Sequence, residues 1–279
     1  MQVKGVDSMS LKVKELMEIM EDYAPLKYKE DFDNVGLMVG DPEDEVKSIL
    51  VALDCTLDVI EEAKEKECNF ILTHHPLLFI KPKNITTRTL QGKKIIELIK
   101  NDINLYSSHT NLDSTIDGLN DLIVKLLGYD QWTIMEDKNP HGVGENKIGL
   151  GRIVDLNTPL TLEELCNKVK GTLGISTLKY SGKEDRIIKK LALINGSGND
   201  FLYKAKDMGA DCIITGDTTY HYASDLAEED VCIIDIGHFE SEWPTMKIVG
   251  NWLQNKINFN GYTNKVNISE KSVSPYKYI

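Results

Sequence analysis

The stretch Ala63-Lys64-Glu65-Lys66-Glu67-Cys68-Asn69-Phe70-Ile71-Leu72-Thr73-His74-His75-Pro76 decides the fold, because its pattern occurs twice. Its first residues close a helical run from Leu57 to Lys66, and Phe70 to Thr73 form a short apolar strand. Pro76 then biases His75 towards an extended backbone and stops regular pairing. Further along, Ala205-Lys206 to Ile213-Ile214-Thr215 aligns without gaps on Ala63-Lys64 to Ile71-Leu72-Thr73. Asn69 falls opposite Asp211 in that frame, and Phe70 opposite Cys212.

Around the first copy, Ser48 to Leu53, Phe70 to Thr73 and Ile103 to Ser107 read as strands. Helical spacing fills the gaps at Leu57 to Lys66 and Thr89 to Lys100, and recurs at Ile116 to Leu127. Short apolar strands alternating with amphipathic helices imply parallel strands with helical crossovers, an α/β fold. A helix from Leu11 to Asp22 precedes them, with apolar residues at 13, 16, 17 and 20 along one face. From Gly128 to Arg186 the rhythm is lost, apart from a helix at Leu162 to Leu173. It then returns, so a pseudo-duplicated architecture is favoured over chance repetition of a common βαβ unit. The expected division is an N-terminal lobe at 11–128, a middle segment at 129–187 and a C-terminal lobe at 188–279.

The formal charge of −12 over 279 residues disfavours a nucleic-acid partner, which needs clustered Lys and Arg to neutralise phosphates. No apolar run is long enough to span a membrane, so no membrane partner is expected. Met1 to Ser10 lack the apolar core of a secretory signal, and Met9 offers an alternative start. The five cysteines are odd in number and form no C-x-x-C. They read as reduced, buried thiols suited to the cytoplasm.

Ligands of open parallel sheets bind beyond the carboxyl ends of the strands. Four of the six histidines stand at such ends: His74, His75, His109 and His238. Two neighbouring imidazoles at a strand terminus can each serve one ion of a metal pair, or can simply hydrogen-bond to close the strand. Ser107-Ser108-His109-Thr110-Asn111-Leu112-Asp113 and Gly237-His238-Phe239-Glu240-Ser241-Glu242 both place an acid four residues after a histidine. Glu242 reads as a ligand or as an acid favouring a helix N-terminus, and Asp113 as a ligand beside His109. His109 and Asn111 can orient neighbouring ligands. Asp117 reads as a helix cap, and Asp217 either caps the next helix or lines the pocket with His221. Gly196-Ser197-Gly198 reads as a tight turn rather than a phosphate cradle, since it lacks a full nucleotide-binding pattern. The N and O donors without thiolate suit Zn, Fe, Mn, Ni or Co.

With Asp33-Asn34-Val35-Gly36-Leu37, Val51-Ala52-Leu53-Asp54, Thr73-His74-His75-Pro76, His109-Thr110-Asn111-Leu112-Asp113, Thr215-Gly216-Asp217 and Gly237-His238-x-x-x-Glu242, the chain resembles the Nif-three-like family. That family also goes by dinuclear metal centre hexameric protein and GTP cyclohydrolase I type 2 homologue. The resemblance runs from about Leu11 to Trp252 and is specific as a set rather than motif by motif. It implies two interlocked, pseudo-duplicated α/β lobes with largely parallel sheets and a dinuclear metal site between them. It implies two divalent ions per chain, with His74, His75, Asp113, His238 and Glu242 as ligands. It also implies a homohexamer with its metal sites facing an internal cavity. Longer members carry an inserted middle domain, and 129–187 is too short to hold one.

The expected activity is metal-dependent hydrolysis of a nucleotide-like small molecule, in the manner implied by the cyclohydrolase label. His109 or His221 would serve as general acid or base. The competing expectation is a metal-binding oligomeric regulator or assembly protein without turnover.

Overall fold

The computed structural model describes residues 10–138 and 148–279. Met9, His141, Gly142 and Gly144 lie outside the described residues. The chain divides into two compact units, one comprising the residues up to Leu112 with Met246–Val273, the other Asp113–Thr245 with Ser274–Ile279.

In the first unit, α1 (Val13–Tyr23) leads to β1 (Gly36–Val39), followed by β2 (Ser48–Ala52), α2 (Leu57–Glu65), β3 (Phe70–Thr73), α3 (Leu90–Lys100) and β4 (Asn104–Ser107). Thr56 caps α2 by accepting from the Val59 amide, and Thr89 caps α3 by accepting from the Gly92 amide. β2, β3 and β4 are parallel and in register, with Ala52 beside Thr73 and Thr73 beside Ser107. Their carboxyl ends are therefore level. β1 is antiparallel to β4 at one edge. Leu50, Ala52, Ile71 and Leu105 face one side, where Val59, Ile60 and Ala63 of α2 and Leu98 of α3 cover them.

The second unit contains α5 (Leu119–Leu126), β5 (Thr133–Asp137), β6 (Gly149–Thr161), α6 (Leu162–Leu173), β7 (Lys179–Ser181), β8 (Ile187–Ser197), α7 (Leu202–Asp207), β9 (Cys212–Gly216), α8 (Tyr220–Glu228) and β10 (Cys232–Asp235). The short α4 (Thr110–Ser114) straddles the boundary, as does α9 (His238–Phe259). β8, β9 and β10 run parallel. Alternation splits their side chains between two cores. Leu191, Leu193, Cys212, Ile214 and Ile234 meet α5 and α6, while Ala192, Ile194, Ile213 and Ile233 meet α7 and α8. The parallel β-α-β-α-β run of each unit repeats the expected α/β pattern in two sheets, with antiparallel strands at one edge of the first and on both sides of the second.

The lobe boundaries expected at 128 and 187 need correction. Segment 129–187 is no separate layer: β5 and β6 pair antiparallel in the β8 sheet, and β7 pairs with β10. The C-terminal lobe expected at 188–279 is likewise divided. β11 (Lys265–Ile268) pairs in parallel with β2, and Trp252 of α9 stacks on Tyr23 at 4.0 Å between ring centroids. Backbone ladders and close aromatic packing outweigh proximity in sequence here. Among the described residues no helix is long and apolar enough to cross a membrane.

Candidate metal centre

Because β2, β3 and β4 end level, the residues just past them share one edge of the first unit's sheet. The ladder continues for a step beyond the strands. Ser108 N–H donates to the Thr73 carbonyl at 2.9 Å, and His75 N–H to the Leu53 carbonyl at 3.0 Å. This fixes the backbones of the histidines before their side chains are considered. The rings of His74, His75 and His109 then converge, with centroids 5.0–5.6 Å apart. One ligating atom from each lies within 4.8 Å of the others.

Each imidazole is held from behind. His74 Nδ1 donates to the Ser108 carbonyl at 2.9 Å, His75 Nδ1 to Asp54 Oδ1 at 2.8 Å and His109 Nδ1 to Asp33 Oδ1 at 2.9 Å. The partners are carbonyl or carboxylate oxygens, so Nδ1 carries the proton and Nε2 is the nitrogen that would meet a metal. Asp33 also accepts from the Thr110 amide and hydroxyl. Burial alone would raise its carboxyl. Hydrogen bonds from His109 Nδ1 and from the Thr110 hydroxyl and amide hold it well below the usual carboxylate range. Asn111 supports the same loop: its side-chain oxygen accepts from the His109 amide, and its amide nitrogen donates to the Ala24 carbonyl.

The second unit repeats the device. α9 begins at His238, so His238 and Glu242 lie one turn apart on the same face. His238 Nε2 is 3.2 Å from Glu242 Oε2, and His238 Nδ1 donates to Asp217 Oδ2 at 2.7 Å. Glu242 is buried. Asp235, at the end of β10, accepts from the Gly237 amide, from the Thr218 amide and hydroxyl, and from Lys179. It thereby fixes both loops that carry the Asp217–His238 pair. Its burial works to raise the carboxyl, but these donors outweigh it and lower it.

Glycine geometry makes the close approach there achievable. Gly196 has φ +61°, and a Cβ on it would lie 2.3 Å from Glu242 Oε1 and 3.3 Å from His238 Nε2. Its amide donates to Ser241 Oγ. The Gly196-Ser197-Gly198 turn thus lies against the histidine–glutamate pair, as a tight turn with a specific duty.

The expected residues are placed as follows. His74, His75 and His109 come together in the first unit, and His238 and Glu242 in the second. His109 stands with the histidines as an equal member of the cluster. Asp113 is half-buried on α4 and is not a member of that three-histidine group. His221 is exposed on α8. The cap expected at Asp117 fails, and of the two readings of Asp217 the cap is the one that falls. Gly118 precedes α5 while Asp117 pairs with Lys125, and Thr219 precedes α8 while Asp217 turns to His238. The supporting acids Asp33, Asp54 and Asp235 carried no role in the sequence reading. The available signal was the place of Asp33 in the Asp33-Asn34-Val35-Gly36-Leu37 motif that runs into β1 and of Asp54 just past the end of β2.

The donor set fits a divalent ion: neutral imidazoles with a fixed tautomer, a buried carboxylate, and a glycine where a side chain would crowd it. These features define an α/β protein with histidine and glutamate groups able to hold metal. The chain belongs to the Duf34/NIF3 (NGG1p interacting factor 3) family, whose model matches residues 11–275. It is 53% identical over 270 residues to a Clostridium acetobutylicum protein named GTP cyclohydrolase 1 type 2 homolog, covering 97% of this chain and all of that one. A Clostridium perfringens protein of the same name is 50% identical, with 96% and 100% covered. The crystal structure of a Staphylococcus aureus hypothetical protein matches with a TM-score of 0.88 and 32% identity, covering 97% of this chain and 100% of that one.

Proposed function

We propose that the chain is a divalent-metal-dependent hydrolase of a nucleotide-like substrate, holding two ions through His74, His75, Asp113, His238 and Glu242. The observation that carries this reading is the common state of the three ligand imidazoles, His74, His75 and His238, each donating from Nδ1 to a carbonyl or carboxylate oxygen. Histidines that only close a strand have no need of one shared tautomer, whereas metal ligands do. Zn, Fe, Mn, Ni and Co are the ions such donors suit. The name carried by the clostridial relatives supports a nucleotide-like substrate.

A bound divalent ion would supply an acidified water and neutralise developing negative charge. The chain's own residues do the rest. Asp54, Asp33 and Asp217 keep their histidines oriented. Glu242 brings a buried carboxylate, held against the Gly196 turn. His109 is the proton carrier in this reading, with exposed His221 as the second candidate. The family resemblance supports a homohexamer. The five buried free cysteines support a reducing, cytoplasmic setting.

The test is turnover of GTP and a nucleotide panel by protein loaded with each metal, beside Glu242→Gln. Hydrolysis that Glu242→Gln abolishes is expected. Equal trace activity in both would remove the hydrolase reading. Retained metal without turnover on any substrate would favour a non-catalytic metal-binding regulator or assembly protein.

A further inference from the structure

Two phenylalanines stand exposed beside the histidine cluster of the first unit. Phe32 is 69% exposed and Phe79 is 49% exposed. Their rings meet edge to face at 6.2 Å, and Phe79 meets His109 edge to face at 6.3 Å. A continuous series of rings therefore runs from Phe32 through Phe79 and His109 to His74 and His75.

Both phenyl rings sit on backbone that is held in place. Asn34 Nδ2 donates to the Leu78 carbonyl at 2.9 Å, joining the two loops. Gln91 Nε2 donates to the carbonyls of Leu77 and Ile80, on either side of Phe79. Next to Phe32, Asp33 is anchored through both carboxylate oxygens to His109 and Thr110, and its carbonyl accepts from Lys29. A chain that spends this many hydrogen bonds on positioning two rings, yet leaves them in water, presents them for use.

We propose that Phe32 and Phe79 form a stacking platform that selects substrates with a planar heterocyclic ring of the nucleobase type. This rests on the hydrolase reading above and names the part of the substrate that the metal ligands do not recognise. Aromatic faces attract any base ring through its π-surface, so the platform confers preference for a ring rather than for one base. Imidazoles and carboxylates would meet the polar, reacting part of the same molecule.

The test measures binding of GTP and of inorganic triphosphate to metal-loaded full chain by calorimetry. The proteins are wild type, Phe32→Ala, Phe79→Ala, Phe79→Leu and Phe79→Trp. Metal content, melting temperature and assembly mass are recorded for each. GTP affinity should fall roughly tenfold in each alanine variant and in Phe79→Leu, and return in Phe79→Trp. Triphosphate affinity, metal content and mass should stay constant.

The proposal is overturned if wild type binds GTP no more tightly than triphosphate, or if Phe79→Leu retains full GTP affinity. It is also overturned if the alanine variants change the assembly mass, which would make the two rings a contact between copies. Ring-dependent binding without turnover would sink the hydrolase reading and leave the platform standing.

Discussion

Asp217 Oδ2 accepts the Nδ1 proton of His238 at 2.7 Å, although Asp217 stands in the left-handed backbone region with φ +54°. The strained residue and the ligand side chain are thus one unit, with Asp235 bracing the loops at both ends. Asn tolerates this backbone, so Asp217→Asn removes the carboxylate's charge with little added strain. Metal affinity should drop about 10- to 100-fold, the usual effect of removing a partner behind a ligating histidine. Competition against a chromophoric chelator would show it. Unchanged affinity would mean that the pair serves the loop alone.

Gly196→Ala is expected to damage the site more than the fold. The new methyl would lie 2.3 Å from Glu242 Oε1, at a position whose φ of +61° already disfavours alanine. Destabilisation of about 1–2 kcal/mol should accompany a larger loss of metal retention. Urea unfolding and metal titration of the same preparation separate the two effects. Full metal retention would contradict the close packing of Gly196 against Glu242.

Glu62 gives the first unit an acid-sensitive joint. It is 2% exposed, and it accepts from Lys66, Ser269 and the amides of Glu270 and Lys271. Burial alone would raise its carboxyl, but these donors hold it down at about 2, below the ordinary 4.5. A depressed folded value means the contribution is complete above the unfolded pKa and is lost as pH falls from 4.5 towards about 2. Glu62→Gln should cost about 2 kcal/mol near neutrality and flatten the wild-type loss of stability in that acid window. Parallel acid-dependent slopes in wild type and variant would refute the role.

Arg152 and Asp121 are both buried in the second unit, with Nε donating to Oδ1 at 2.5 Å. Arg152 Nη1 also donates to the carbonyls of Gly149 and Gly151, where the chain enters β6. Removing only one charge strands the other in the core. Asp121→Ala should therefore cost about 3–5 kcal/mol, while Asp121→Leu with Arg152→Met should be much closer to neutral. Thermal unfolding of the three proteins would decide, and a double variant worse than the single would contradict the reasoning.

The sequence made the parallel cores legible because burial on both faces leaves continuous apolar runs such as Phe70–Thr73 and Cys212–Gly216. β6 was missed for physical reasons. Gly149 has φ +151° and approaches so closely that a Cβ would lie 1.8 Å from the Glu136 carbonyl oxygen, and Pro159 sits where the β6–β8 register shifts. Glycine and proline both interrupt a strand pattern, although each is compatible with a strand at a close approach or a bulge. β11 was missed because its partner, β2, lies more than two hundred residues earlier, with Lys265 paired to Ser48. Histidines at strand ends were visible as motifs. The acids behind them were not, since a tautomer-fixing contact such as Asp33–His109 joins residues 76 positions apart.

The proposed metal pair is tested by metal analysis of natively purified chain, before and after reloading by dialysis. His74→Ala and His238→Ala should be measured alongside, with circular dichroism to confirm folding. Wild type should hold two divalent ions per chain, and each variant should hold fewer. A well-folded wild type that takes up no divalent ion, or variants that bind as much as wild type, would contradict it.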